Sequence, residues 1–405
     1  MLTIIILILL ATYILERYLD WLNVRNWSNE LPDELKGIYD EEKYRKSQEY
    51  EKAKTKFSFI TGTFSLILML ILLLTGSFAL LNKWVLTITT HPVWSALLFF
   101  AMLAVLSDIV NLPFSYYRTF ILEDKFGFNR TTIKTFVLDK LKGYFLGAVI
   151  GGSLLYLFVW FYDVSGANFW WIAWITFSVV MLFMTMFYSS LIVPLFNKLT
   201  PLADGELRTA IQDYCSKVGF KLKNLFVMDG SKRSSKANAF FSGLGAKKRI
   251  VLFDTLINNH TNDELVAVLA HEIGHYKKKH TRLGFILSIL QVGLMLFIFS
   301  KVIDNPSLSN ALGSEKSFFQ LGMLAFGILY SPLSLVIGLL MNLVSRRHEY
   351  EADDFAKTTF SGESLISALK KLSVNNLSNL QPHPAYVFFY YSHPTLLQRL
   401  RALKS

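Results

Sequence analysis

Cysteine is almost missing from this sequence: Cys215 is the single instance in 405 residues. That excludes an intramolecular disulfide and a cysteine-based zinc cluster. In "ELRTAIQDYCSKVGF", Leu207, Ile211, Tyr214, Cys215 and Val218 follow helical spacing, so Cys215 reads as a small core residue. Charge is scarce too, at 18% of residues against 52% hydrophobic. A soluble protein of this length would normally carry more, so the composition is that of a membrane protein. Repeats, low-complexity tracts and long disordered linkers are absent. The net charge of +11 is not gathered into one arm or stripe, which argues against a nucleic-acid partner. The basic residues lie instead between apolar segments, as membrane orientation requires.

Seven stretches are long and apolar enough to cross a bilayer: 2–16, 58–82, 93–113, 144–162, 168–196, 284–303 and 318–344. The first is short but lacks the basic leader and cleavage site of a signal peptide, and reads as a retained helix. Asp108 and Asn111 fall inside a span, where a carboxylate needs a partner or a wet cavity; pairing with a neighbouring helix is the expectation for Asp108.

Lys and Arg alternate between loops. Residues 17–57 hold nine and residues 114–143 hold six, and the segments 197–283 and after 345 are basic throughout. The intervening loops offer only Lys83, nothing in 163–167, and Lys301 and Lys316. Seven crossings then place the N-terminus outside and the long loop and tail in the cytoplasm. The expected organisation is spanning helices 1–5 in 1–198, with cytoplasmic loops 17–57 and 114–143. A cytoplasmic domain follows in 199–283, then helices 6 and 7 in 284–345, and the rest of that domain in 346–405.

The segment 199–282 reads as helix 203–219, strand "LKNLFVMDG" from 222, and a second strand or edge "NAFFSGLG" from 238. A buried strand "RIVLFDTLI" comes next. Thr261 and Glu264 then have the spacing of a capping box, opening a helix on which Leu265, Val268, Leu269 and Ile273 recur at helical intervals. That helix carries "AHEIGH". His271 and His275 are one turn apart and share a face, where two imidazoles can grip one ion. Glu272 adjoins the first histidine without competing for the metal, as a general base should. The bland alternative is a polar face continued by "YKKKH", but Ala270, Ile273 and Gly274 surround the histidines with small or apolar groups.

A catalytic zinc needs a third ligand and one open position. "NLVSRRHEYEADDFAKTTF", where the last span ends, offers His348, Glu349, Glu351, Asp353 and Asp354. Glu349 and Asp353 are four apart, so one can ligate while the other orients a ligand histidine from behind. Periodicity does not choose between Glu349 and His348, and a charged helix end anchored by Arg346 and Arg347 would look the same.

"AHEIGH", "SRRHEYEAD", "KANAFFSG", "YSHPTLLQRLRAL" and "PLFNKLTPL" together resemble the CAAX prenyl protease 1 (Ste24) family of integral-membrane zinc metalloproteases. The likeness runs from "YEKAKTKFSFI" near residue 50 to the C-terminus. It implies a mainly α membrane fold of seven helices enclosing a chamber, with a small α+β zincin-like protease domain on the cytoplasmic side. It also implies one Zn2+ on His271, His275 and Glu349, with Asp353 behind a ligand. Glu272 is implied as the base, and His393 and Arg399 of HPxxxxR as stabilisers of the tetrahedral intermediate. Asn238 and Ala239 match the segment that holds the substrate backbone. One departure is His348, where family members often carry an aromatic residue.

By resemblance the substrate is a prenylated CaaX protein that loses its last three residues, and the other partner is the lipid bilayer, of the endoplasmic reticulum or a bacterial inner membrane. The enzymatic alternative is quality control of membrane proteins without prenylation. A seven-helix transporter or scaffold with a structural metal is the alternative from another class. Against it stand a ligand set with a vacant position and the lack of Gly/Pro-broken helices in matching halves.

Overall fold

The structure is a computed structural model that describes residues 1–28, 30–31, 36–37, 40–221, 224–243 and 249–405. Residues 222–223 of the expected strand and 244–245 of the glycine-ended stretch lie outside the described residues.

Among the described residues, seven helical stretches are long and apolar enough to cross a membrane: Leu2–Arg25, Glu41–Leu74, Pro92–Glu123, Ile133–Ser165, Phe169–Phe196, His280–Val302 and Phe319–Asn375. They match the seven expected crossings, with two instructive differences. The second span stops at Leu74, short of 82, because Gly76 adopts a left-handed backbone (φ 65°) and a separate helix Ser77–Ile88 follows. The last helix does not stop at 344 but runs unbroken from Phe319 to Ala356, carrying Glu349 and Asp353 beyond the apolar stretch. Asp108 has the neighbour its position demanded: Lys140 Nζ lies 2.6 Å away on another helix, and Tyr144 Oη donates to the same carboxylate. A cavity of about 930 Å³ lies between the spanning helices, lined by groups such as Phe158, Phe177, Met295, Phe326 and Asn342.

Outside the spans the described residues form one four-stranded sheet: β1 (Leu199–Pro201), β2 (Leu225–Met228), β3 (Ala239–Ser242) and β4 (Arg249–Phe253). Its order is β1-β2-β4-β3, with β2 and β4 parallel and both edges antiparallel to their neighbours, so β3 is a free edge. The stretch "RIVLFDTLI" divides into β4 and a short helix Asp254–Ile257. The expected helix 203–219 spans Glu206–Lys217 and buries Ile211, Tyr214 and Cys215. Burial pushes the Cys215 thiol up to about 11, so it is an inert core group.

The HExxH helix, Asn262–Lys277, packs against this sheet through Leu265, Leu269 and Ile273, which share a core with Ile250, Leu252 and Leu365. Each such side chain contributes about 1.5–3 kcal/mol by leaving water. The capping box is present: Thr261 Oγ1 accepts from the Glu264 N–H and Glu264 Oε2 from the Thr261 N–H. Glu264 also binds Ser367 Oγ at 2.6 Å and Lys371 Nζ at 2.8 Å, tying the start of this helix to Gly362–Asn375. At the other end Gly274 lets two helices touch. A Cβ there would lie 3.1 Å from both the Cα and the carbonyl oxygen of Ala352. That contact brings the histidine face onto the face bearing Glu349 and Asp353.

Candidate metal centre

His271, His275 and Glu349 each offer one donor atom, and the three atoms lie within 4.8 Å of one another. The two Nε2 atoms are 3.1 Å apart; Glu349 Oε2 is 3.4 Å from His271 Nε2, and Oε1 is 3.2 Å from His275 Nε2. Glu349 Oε2 is buried and has no hydrogen-bond partner. A buried carboxylate oxygen with no hydrogen bond, 3.4 Å from His271 Nε2 and 3.5 Å from Arg399 Nη1, keeps its lone pairs open to a cation. Two nitrogens and one oxygen are donors that zinc accepts, and tetrahedral ligands at ~2.1 Å from an ion would be ~3.4 Å apart. The residues fit a single metal ion.

The groups behind these donors are ordered as well. His271 Nδ1 lies 2.8 Å from Asp353 Oδ1, and Asp353 holds Arg399 through two bonds, 2.8 Å from Nε and 2.5 Å from Nη2. Burial opposes charge on His271, but Asp353 and Glu349 outweigh it and bring its pKa up to about 9 with no ion present. Burial likewise opposes the Arg399 charge, and the Asp353 carboxylate more than compensates, raising its pKa.

The five residues offered by the helix end separate clearly. Glu349 faces the histidines, Asp353 backs His271, and Asp354 is exposed. Glu351 binds His280 at 3.0 Å and Arg347 at 3.0 Å. His348 stacks on His280 with ring centroids 3.9 Å apart and planes 7° from parallel, and it is not among the three grouped donors. Arg346 donates to the Tyr391 carbonyl at 2.5 Å, fixing the loop before His393.

Glu272 is half-buried and lines a cavity of about 280 Å³ together with the three donors, Asn238, Ala239, His393 and Arg399. Every predicted site residue except Asp353 therefore borders one space, and Asp353 stands behind it. His393 Nε2 reaches Glu349 Oε1 at 3.3 Å while its side chain stays 63% exposed, free to meet a bound molecule. Arg399 Nη1 is 3.5 Å from Glu349 Oε2. Three residues went unseen in the sequence. His280 was read as part of a polar run, yet it is buried against His275. The helix ends near Lys277, Lys279 takes a left-handed turn (φ 65°), and His280 opens the next helix facing back. Asn376, treated below, belongs to no motif, and Lys236 opens "KANAFFSG" with no role assigned to it; only their chemistry could have flagged them.

Residues 20–198 match the family described as CAAX prenyl protease N-terminal, five membrane helices, and residues 201–405 match peptidase family M48. CAAX prenyl protease 1 of Saccharomyces cerevisiae is 39% identical, the alignment covering 97% of this chain and 93% of that protein. The Arabidopsis thaliana homologue is 36% identical, covering 98% and 95%, and the Homo sapiens homologue 32% identical, covering 93% and 89%. The crystal structure of S. mikatae Ste24p superposes with a TM-score of 0.94 at 38% identity, over 100% of this chain and 99% of that one. The mainly helical fold with its small sheet, the single-ion donor group and these likenesses agree: the chain belongs to the CAAX prenyl protease 1 family of M48 membrane metallopeptidases.

Proposed function

We propose that this protein is a zinc endopeptidase that removes the C-terminal tripeptide from prenylated CaaX proteins at the cytoplasmic face of its membrane. The observation that carries the reading is the convergence of His271, His275 and Glu349 in a cavity that Glu272 also lines, at the junction of the sheet and the spanning helices. In this reading 1–198 and 284–345 hold the protein in the bilayer, while 199–283 and 346–405 together form the protease part. The basic loops argue for a cytoplasmic site.

Zinc held by the three donors would supply Lewis acidity and make a water easier to deprotonate. The remaining work falls to side chains. Glu272 takes a proton from the attacking water and returns it to the leaving amine. His393 and Arg399 meet the negative charge that grows on the carbonyl oxygen; His393 is the better placed, because Arg399 is already committed to Asp353. Asp353 orients His271. The β3 edge at Asn238 and Ala239 aligns the substrate backbone by strand addition.

A prenylated substrate is supported by a pocket of about 320 Å³ that adjoins Glu272, His275 and His280 and has an apolar wall of Leu287, Met341 and Val344 from the spanning helices. A lipid-bearing cysteine can rest there while its peptide enters the site. The test is zinc content of the purified protein together with cleavage of a farnesylated CaaX peptide and its inhibition by o-phenanthroline. One zinc per chain and chelator-sensitive loss of a tripeptide are expected. Cleavage of unprenylated membrane proteins alone would favour quality control, and transport by a zinc-free protein would overturn both.

A further inference from the structure

Just before β3, Asn238 pairs with β4, its carbonyl accepting from the Phe253 N–H at 3.1 Å, and the register continues through Ala239 opposite Leu252. Alternation then turns the backbone groups of Ala237, Ala239 and Phe241 toward the free edge. The Ala239 carbonyl and the Phe241 backbone have no partner on that side among the described residues. At Ala237 the edge is closed. Asn376 Oδ1 accepts from its N–H at 3.1 Å, and Asn376 Nδ2 donates to its carbonyl at 3.2 Å. An added strand can pair alongside Ala239 and Phe241 and must stop at Asn376.

Beyond this stop lies a cavity of about 530 Å³ that shares His393, Arg399 and Leu369 with the catalytic one. Lys236 lines it. Its ammonium donates to Tyr50 Oη and Glu123 Oε2, each at 2.8 Å, and lies 4.2 Å from the Phe128 ring centroid. Lys54 is there too, matched by Glu51 at 2.8 Å. Asn379 Nδ2 is buried with no partner, although its Oδ1 accepts from the Gln381 N–H at 3.0 Å. A lysine ammonium and an orphan amide donor lining one cavity suit an anionic acceptor.

We infer that this cavity binds the free C-terminal carboxylate of the substrate, with Lys236 supplying charge and Asn379 an amide proton. The inference rests on the CaaX reading and deepens it. Lys236 precedes Ala239 by three residues, and three residues of extended chain span about 10 Å, which is the reach of the tripeptide tail. The pocket at the spanning helices includes Phe241 and so lies at the opposite end of the same edge. The substrate therefore runs antiparallel to β3, lipid toward Phe241 and acid toward Ala237.

The experiment compares two farnesylated CaaX peptides, identical but for a free acid or an amide at the C-terminus, with the zinc-loaded full-length protein. The acid is expected to be cleaved with kcat/KM higher by about tenfold or more, the size of one charge-assisted hydrogen bond. Lys236→Met is expected to shrink that ratio below about threefold and Lys236→Arg to keep most of it. Equal cleavage of both peptides by the wild type overturns the carboxylate site while sustaining the CaaX reading. So does a Lys236→Met variant that slows both alike, which would make Lys236 merely a clamp between Tyr50, Glu123 and β3. Cleavage of neither peptide overturns the CaaX reading, and this inference with it.

Discussion

Nδ1 of His280 lies 3.1 Å from Nδ1 of His275, and the other nitrogen of His280 lies 3.0 Å from Oε2 of Glu351. If His275 keeps its Nε2 lone pair for an ion, its proton is on Nδ1. His280 must then accept at Nδ1 and donate from Nε2 to Glu351. Every proton has one place, and the proposed ligand is held from behind as His271 is by Asp353. His280→Phe removes the acceptor and is expected to weaken zinc binding by about 10–100-fold, while His280→Asn, which restores an acceptor near Nδ1, should recover part of it. Zinc titration against a competing chelator reads this without reference to activity. Unaltered affinity in His280→Phe would show that the contact does nothing for the ligand.

Glu272 borders the site but forms no hydrogen bond or ion pair with the three donors. Glu272→Gln is therefore expected to keep one zinc per chain and the wild-type melting temperature. Peptide cleavage should fall by more than the roughly 10²–10³-fold typical of losing an oxyanion donor. Metal analysis and a cleavage assay on the same preparation check both halves.

Gly274 has no room for a side chain, since the nearest obstacle is backbone of the neighbouring helix. Gly274→Val should force the HExxH helix away from Ala352, costing about 1–3 kcal/mol and parting the histidines from Glu349. Lower thermal stability with reduced zinc content is the expected pair of results; full zinc content would mean the helices separate without opening the donor cluster.

Glu264 is buried, which favours its neutral form, but Lys371, Ser367 and the Thr261 N–H favour the carboxylate and keep its pKa below the ordinary value. A depressed carboxyl pKa stabilises the fold above the unfolded value of about 4.3, and that contribution is lost as pH falls below it. Glu264→Gln should be less stable at pH 7, by about 1–3 kcal/mol, and the gap should narrow as pH falls below about 4, through the depressed folded pKa. Melting curves of both proteins across that range decide it; a gap independent of pH would mean that the charge of Glu264 is irrelevant.

Much of the architecture was legible one residue at a time. Seven apolar stretches, the capping box at Thr261 and the i, i+4 histidines are local features, each written within about 30 consecutive residues, so hydropathy and periodicity find them. Asp108 in an apolar span announced its need for a partner without naming Lys140. What lay out of reach were contacts between distant segments. Periodicity left Glu349 and His348 level, because the two are adjacent and point about 100° apart on one helix. Only the packing of Gly274 on Ala352 turns Glu349 toward the histidines and leaves His348 stacked on His280. His280 itself was hidden by a left-handed turn that helical spacing does not anticipate.

The sequence by itself therefore determined that this is a membrane chain with an HExxH helix, because those are properties of short segments and of solvent. The tertiary structure decided which carboxylate completes the donor set, what holds each histidine, and where the β3 edge is closed. Those outcomes depend on angstrom-scale approach between helices and strands that the chain brings together from up to about 140 residues apart, as when Asn376 reaches Ala237.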